Sequence, residues 1–164
     1  MAILRTLKHW AMSPLPVKYS FPAEALPKIT QCIEKAETTT SAEFEVIIER
    51  SLPMEILQSN SVAHTRAEQL FSQYRVWDTE DNNGVLIYLN LTDHAIEIVL
   101  DRAAARIFSQ KQLDDIVFQM GEKFKQKQFA EGICEAIMEL AKVLSVHFPN
   151  KPVTDPLPNE PVIL

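Results

Sequence analysis

The sequence has few of the residues on which common catalytic and cofactor-binding motifs depend. It contains three glycines, at positions 84, 121 and 132, so neither a phosphate-binding loop nor a dinucleotide fingerprint can be built from it. Its four histidines show no ligand spacing, which argues against a zinc site. No G-x-S-x-G elbow is present, and neither of the two cysteines has a nearby catalytic helper. We therefore expect no nucleotide cofactor, no zinc and no hydrolase built on a nucleophile elbow.

The sequence also lacks an excess of positive charge and a long hydrophobic run. Its net charge is −6, which argues against nucleic acid as a partner. No apolar run approaches the roughly 20 residues that a membrane span needs. The N-terminal apolar stretch is short and is broken by Arg5, Lys8 and His9, so it does not resemble a secretory signal. We predict a cytoplasmic chain that does not itself cross a membrane. The segment from Ile3 to Met12 is a candidate amphipathic helix that would lie peripherally on a membrane or a partner.

The two cysteines lie in stretches with amphipathic, helical patterns. Cys32 and Cys134 each occupy a place where a small apolar residue would serve. This pattern favours buried free thiols, which suit a reducing compartment. A disulfide between the two cysteines is the alternative, because helices far apart in the sequence can pack together.

Three segments have the pattern of β-strands. Residues 43–50 alternate apolar and acidic side chains, with Ile47 as the exception. In residues 95–101, the larger apolar residues Ile96, Ile98 and Leu100 occupy every second position. Residues 84–90 form a short continuous apolar run, which is typical of a strand covered on both faces. The helix between the first two strands predicts a right-handed crossover and parallel pairing. The short turn at 90–94 predicts antiparallel pairing of the second and third.

Helical spacing of apolar residues surrounds these strands. It marks four stretches, which contain Ile29 to Glu37, Met54 to Tyr74, Leu113 to Phe124 and Ile133 to His147. The order α-β-α-β-β-α-α predicts an α/β domain with a small mixed β-sheet flanked by about four helices. We place this domain at 21–149, after an N-terminal segment at 1–20. The Pro-rich tail at 150–164 is predicted to be extended on the surface or mobile.

This topology predicts that acidic residues from distant segments meet at one end of the sheet. A hairpin joins the second and third strands, so the start of one lies beside the end of the other, and a parallel first strand starts at the same end. The side chains expected there are Glu43, Asp78, Glu80, Asp81, Asn82, Asn83 and Asp101. Several carboxylates at one edge repel one another unless a cation offsets them. The sequence therefore predicts a metal site at this acidic edge.

The chemistry of the predicted ligands narrows the choice of ion. Ligand sets that contain only oxygen favour Ca²⁺ or Mg²⁺ over zinc. The loop is not an EF-hand, because the sixth position from Asp78 is Asn83 and the twelfth is Leu89. The predicted metal ligands are Glu43, Asp78, Glu80, Asp81, Asn83 and Asp101.

A purely structural explanation of the same residues remains open. Asp78 and Asn83 suit a turn, the backbone at position 84 would require a glycine, and Asp101 would cap a helix. Arg102 and Arg106 could offset the negative charge without any metal.

Four segments resemble the TPM domain family, which is named for thylakoid, photosystem and nematode members. They read RAEQLF at 66–71, VWDTEDNNGVLIYL at 76–89, DHAIEIVLDR at 93–102 and LSVHFP at 144–149. The nearest resemblance is to a bacterial branch of small proteins that lack a membrane anchor and end in HFP and a Pro-rich tail. The resemblance implies an α/β sandwich with acidic loops at one sheet edge.

The family resemblance also implies several possible functions. Some members are acid phosphatases or divalent-cation binders, and others are non-enzymatic helpers that maintain membrane complexes or act under stress. Bacterial members often occur near LemA-type membrane proteins. The resemblance therefore implies a partner of that kind, or another protein with a TPM domain.

One departure from the family weighs against catalysis. Much of the family is Gly-rich after the third strand, where this chain has Asp101-Arg102-Ala103-Ala104-Ala105. Without those glycines, the backbone approaches a phosphate less closely. We therefore predict a non-enzymatic accessory module that binds Ca²⁺ or Mg²⁺ at the acidic edge. The alternative is a weak metal-dependent acid phosphatase with Asp78 and Asp101 as catalytic residues.

Overall fold

The fold is built on a four-stranded mixed sheet with the strand order β3-β2-β1-β4. The computed structural model describes residues 7–9, 11, 21–53, 56, 62–153 and 156–164. The strands are β1 (Phe44–Glu49), β2 (Val85–Asn90), β3 (Ala95–Leu100) and β4 (Val162–Ile163). β1 pairs in parallel with β2 and β4, and β2 pairs antiparallel with β3. The predicted α/β class, the parallel crossover and the hairpin are all confirmed.

Five helices whose bounds are described surround the sheet. They are α1 (Ala25–Glu37), α2 (Val62–Gln73), the one-turn α3 (Arg102–Ala105), α4 (Gln110–Lys125) and α5 (Phe129–His147). A capping box begins α4: the Ser109 hydroxyl accepts from the Gln112 N–H, and the Gln112 side chain accepts from the Ser109 N–H. The predicted start of the second helix, at 54–61, lies largely outside the described residues.

Both faces of the sheet are covered, which explains the residue that breaks the alternation in β1. Phe44, Val46 and Ile48 belong to the larger core formed with α1, α4 and α5. Ile47 packs with Leu86 in a second core, on the opposite face, beneath α2. A strand buried on both faces needs no polar side, so an apolar residue at position 47 is compatible with it.

The two cysteines form a disulfide, so the prediction of free thiols is wrong. Cys32 on α1 and Cys134 on α5 are bonded, with their Cα atoms 5.6 Å apart. The two amphipathic helices pack against each other over the same core, which brings these half-buried positions together. The helical patterns were identified correctly, but neither pattern states which helices are neighbours.

The tail forms part of the sheet. Val162 and Ile163 pair with Ile47 and Ile48, and the Leu164 N–H donates to the Ile48 carbonyl oxygen at 2.9 Å. The prediction of extended chain agrees with this, but the sequence did not indicate a fourth strand. β4 covers the edge of β1 that would otherwise expose unpaired backbone groups.

Part of the N-terminal segment is seated on the body of the fold. Residues 7–9 and 11 are helical, and His9 is buried. Its Nδ1 accepts from the Leu52 N–H at 2.9 Å, and its Nε2 lies 3.1 Å from Asp93 Oδ1. Within the described ranges, no helix is long and apolar enough to cross a membrane.

Candidate cation site at the acidic sheet edge

The backbone brings the predicted segments together at one end of the sheet. The Val85 N–H donates to the Glu43 carbonyl oxygen at 2.9 Å, and the Asp101 N–H donates to the Gly84 carbonyl oxygen at 2.9 Å. The loop at 78–83 therefore lies beside the start of β1 and the end of β3. This is the arrangement that the topology implied.

Local sequence fixes the shape of this loop. A Cβ atom at Gly84 would lie 1.9 Å from the Val76 carbonyl oxygen, so only glycine allows the loop to approach that backbone. Asn82 adopts a left-handed φ of 53°, which asparagine tolerates better than most residues. The Asn83 N–H donates to Thr79 Oγ1 at 3.0 Å. The Asn-Asn-Gly order thus positions the Asn83 side chain at the edge.

Two buried oxygen atoms at this edge have no hydrogen-bond partner among the described residues. Asp101 is 6% exposed, and its Oδ1 accepts from the Arg102 N–H at 2.6 Å as the N-cap of α3. Its Oδ2 has no such partner. Asn83 is 1% exposed; its Nδ2 donates to Ser41 Oγ at 3.3 Å, while its Oδ1 has no partner. Leaving one such group unsatisfied costs about 1–3 kcal/mol, so both atoms are candidates for an ion or water.

Lys151 forms ion pairs with two carboxylates of the loop at 78–83. Its Nζ lies 2.9 Å from Asp81 Oδ2 and 3.5 Å from Glu80 Oε2. The hydrogen bond from Lys151 lowers the pKa of Asp81, and the Ser41 hydroxyl adds to the effect with its own bond at 3.1 Å. Hydrogen bonding to Asp81 in turn raises the pKa of Lys151. An ammonium group from the tail therefore already offsets charge at this edge.

Two of the predicted ligands are engaged elsewhere. Asp78, 45% exposed, forms an ion pair with Arg75. Glu43 is buried, and its Oε2 accepts from the Leu157 N–H in the tail at 2.6 Å. Both carboxylates therefore already have a partner outside Asn83 and Asp101.

Whether the predicted ligands hold a metal ion stays a prediction. Among the described residues, no group of three or more Asp, Glu, His or Cys side chains is placed to hold a metal ion. The remaining donors are Asp101 Oδ2 and Asn83 Oδ1, with Asp81 joined to Asn83 through the Ser41 hydroxyl. Asn82 Oδ1 accepts from Arg102 Nη2 at 3.0 Å.

Sequence reasoning missed Ser41 and Lys151. Ser41 precedes β1 in a turn-forming stretch, and Lys151 lies in a tail without periodicity. No local pattern connects either residue with the loop at 78–83, because their contacts depend on the tertiary fold.

A second group of carboxylates lies along the edge of β1. Burial raises the pKa of Glu37 to about 7, helped by the Glu43 and Glu34 charges and opposed by hydrogen bonds from the Phe44 N–H and the Asn159 side chain. Burial also raises the pKa of Glu45 to about 7, where the Val46 N–H opposes the shift and the Glu37 charge adds to it. Asn159 belongs to the tail, so the tail contacts this group as well as β1.

A four-stranded mixed sheet covered by helices, with an acidic loop at one end, defines a small α/β domain of a known type. Residues 21–143 match the family model described as the TPM domain. The chain therefore belongs to the TPM domain family, and the resemblance noted in the sequence is confirmed for that range. The bacterial branch and its tail signature stay predictions.

Two solved structures share the fold. The NMR structure of BA42 protein from the psychrophilic bacterium Bizionia argentinensis has a TM-score of 0.73 and 28% sequence identity, covering 88% of this chain and 95% of that one. The NMR structure of the N-terminal domain of a protein from P. gingivalis has a TM-score of 0.55 and 18% identity, covering 72% of each chain. No curated protein matches the chain.

Proposed function

We propose that this protein is a non-enzymatic TPM domain that binds a divalent cation, Ca²⁺ or Mg²⁺, at the acidic sheet edge. Asp101 Oδ2 and Asn83 Oδ1 would be its inner ligands, and Asp81 would join them when Lys151 is displaced. A carboxylate, an amide oxygen and water form the mixed oxygen set that Ca²⁺ accepts with flexible geometry. Mg²⁺ would keep more of its own water at the same site.

The single observation that carries the proposal is the pair of buried, unpartnered oxygen atoms on Asp101 and Asn83. Both atoms lie at the edge of the sheet where the topology alone predicts that acidic residues meet. Hydrogen bonding satisfies most buried polar atoms in native proteins, so two exceptions at one edge call for an occupant.

Calorimetric titration with Ca²⁺ and with Mg²⁺ tests the proposal. We expect saturable binding by the wild type and a loss of about tenfold or more in affinity for Asp101→Asn. This substitution keeps the size of the side chain and its ability to cap α3 but removes its charge.

Asp78→Asn is the matched control, because it makes the same chemical change on an exposed carboxylate that pairs with Arg75. It should leave the affinity nearly unchanged. An equal loss in both variants would indicate a general charge effect, and an absence of binding heat in the wild type would overturn the proposal.

The phosphatase alternative requires Asp78 and Asp101 to act on one phosphate. Asp78 is an exposed partner of Arg75, whereas Asp101 is a buried helix cap, and this difference supports it less than cation binding. Metal-dependent turnover of an aryl phosphate that disappears in both Asp→Asn variants would favour the enzyme instead.

The accessory role includes a partner, which we propose to be a LemA-type membrane protein or another protein with a TPM domain. Family membership supports this part of the proposal. Truncation after residue 149 would remove both Lys151 and β4, so pull-downs should use the full chain. We expect capture of the partner to differ between buffers with Ca²⁺ and with a chelator.

A further inference from the structure

A cleft of about 670 Å³ lies at the end of the sheet opposite the acidic edge. It opens between the β2–β3 turn, the C-terminal part of α4 and the start of α5. Its volume falls within the range of about 300–1,000 Å³ that is usual for small-molecule sites. It uses none of the residues of the proposed cation site.

The interior of the cleft is apolar. Leu91 and Ile96 line one side, and Phe124 and Phe129 line another. The two aromatic rings are 5.2 Å apart, and Phe129 also contacts the ring of Phe21 at 5.2 Å, which fixes this wall to the core. These side chains offer an aliphatic group a preformed surface away from water.

The rim of the cleft is positively charged, although the protein carries a net charge of −6. Lys8, Lys125 and Lys127 line it together with His94. Lys125 pairs with Glu122, and Lys8 donates to the Thr92 carbonyl oxygen. Lys127 is exposed and forms no ion pair with any residue in the described ranges. A cationic rim around an apolar interior is complementary to a molecule with one anionic end.

Two residues beside the cleft are unfavourable choices for the backbone conformation at their positions. Gly121 lies within α4, where glycine costs about 1 kcal/mol relative to alanine. A Cβ atom there would meet nothing within 4 Å, so packing does not require glycine. Lys127 has a φ of 61°, in the left-handed region where glycine would be less strained. A ligand in the cleft would explain both residues, because Gly121 leaves space for it and Lys127 supplies a positive charge.

We propose that this cleft binds an amphipathic acid with an aliphatic chain and a single carboxylate, such as a free fatty acid. The chain lies between the Leu91–Ile96 side and the two phenylalanines, in the space that Gly121 leaves open. The carboxylate lies at the rim, where Lys127 donates to it. Neither the family match nor the proposed cation site assigns a ligand to this cleft.

Titration with dodecanoate below its micelle concentration tests the proposal on the full chain, with the disulfide intact. We expect saturable binding with one molecule per chain, and amide shifts in NMR spectra confined to residues such as Leu91, Ile96 and Gly121. Dodecyltrimethylammonium has the same chain with the opposite charge and should not bind. Acetate has the charge without the chain and should not compete.

Two variants separate the contribution of shape from that of charge. Gly121→Leu fills the cleft and should weaken binding about tenfold or more, whereas Gln119→Leu adds a leucine on the exposed side of α4 and should not. Lys127→Gln should weaken binding about two- to fivefold, and Lys111→Gln, on the exposed start of α4, should leave it unchanged.

Three outcomes would overturn the proposal: an absence of saturable binding, equal binding of the cationic amphiphile, or an affinity for dodecanoate that Gly121→Leu leaves unchanged. If Gly121→Leu fails to fold by circular dichroism, the Lys127→Gln pair and the location of the amide shifts decide the question. Shifts spread over the whole chain would then count against the cleft.

Discussion

Among single residues, Lys151 offsets part of the negative charge at the acidic edge. Its ammonium group contacts both Asp81 and Glu80, and Arg75 contacts Asp78, so three of the six predicted ligands already have a cation beside them. A divalent ion at Asp101 and Asn83 would gain Asp81 as a ligand only when Asp81 leaves Lys151. The lysine therefore competes with the proposed metal.

Lys151→Gln should raise the affinity for Ca²⁺ by about two- to fivefold, because Asp81 would no longer be held by an ammonium group. Calorimetric titration at low ionic strength measures the change. Lys142→Gln, an exposed change of the same kind on α5, should have no comparable effect. Weaker binding in Lys151→Gln would show that the lysine supports the site instead of competing for it.

At the element scale, buried carboxylates along β1 couple stability to pH. The pKa of Glu45 lies at about 7 in the folded chain against 4.5 for the free group, so folding favours its protonated form. The resulting stabilisation is fully present below about pH 4.5 and is lost as the pH rises through about 7.

Glu45→Gln should flatten this dependence, because the amide stays neutral at every pH. The difference in free energy of unfolding between the variant and the wild type should change by about 3 kcal/mol at most between pH 4.5 and pH 8. Denaturant unfolding at a series of pH values measures it. Glu139→Gln, on the exposed face of α5, should follow the wild-type curve.

A buried ion pair attaches α2 to the sheet. Arg66 Nη2 donates to Glu49 Oε1 at 2.7 Å, and the Tyr88 hydroxyl donates to Glu49 Oε2 at 2.6 Å. Burial lowers the pKa of Arg66, but the hydrogen bond and charge of Glu49, with Tyr88 and Tyr74, together raise it above its usual value, and the guanidinium stays charged. Burial also raises the pKa of Tyr88, so the hydroxyl remains a donor.

Arg66→Ala should cost about 3–5 kcal/mol of stability, because it leaves the Glu49 carboxylate buried without its charged partner. Urea unfolding gives the value. Lys28→Ala removes one side of an ion pair whose two side chains are 65% and 50% exposed, and it should cost less than about 1 kcal/mol. Similar losses in the two variants would contradict this account of the Arg66 pair.

The elements that the sequence predicted are those whose signal is local. β1, β2 and β3 have patterns of apolar residues that extend over six positions each, which is enough to predict them. β4 has only Val162 and Ile163 after a Pro-rich run, so nothing local indicates its pairing. The split of the acidic set follows from the same limit. The topology predicts that the segments meet, but contacts with Arg75, Lys151 and Leu157 depend on the tertiary fold and have no local signal.

At the scale of the whole molecule, one disulfide joins parts of the chain that are 102 residues apart. Closing a loop of about 100 residues removes a large share of the freedom of the unfolded chain. Structural disulfides persist in oxidising compartments and are rare in the cytosol, so this bond weighs against the predicted cytoplasmic location.

Replacing both Cys32 and Cys134 by serine should lower the free energy of unfolding by about 2–5 kcal/mol. Thermal unfolding with and without dithiothreitol measures the loss. The reductant should destabilise the wild type by a similar amount and leave the double variant unchanged. A wild type that is insensitive to the reductant, with both thiols open to alkylation, would contradict the disulfide.

The pairing of β4 with β1 has a consequence for synthesis. The ribosome completes β1 about 110 residues before it makes β4, which at about 5–20 residues per second is a delay of roughly 5–20 s. During that interval the nascent chain can assemble β1, β2 and β3, but one side of β1 has no strand to pair with. Such an open edge can recruit a strand from a neighbouring nascent chain. Slowed translation should therefore promote aggregation of this protein, and a chaperone that shields the emerging sheet should relieve it.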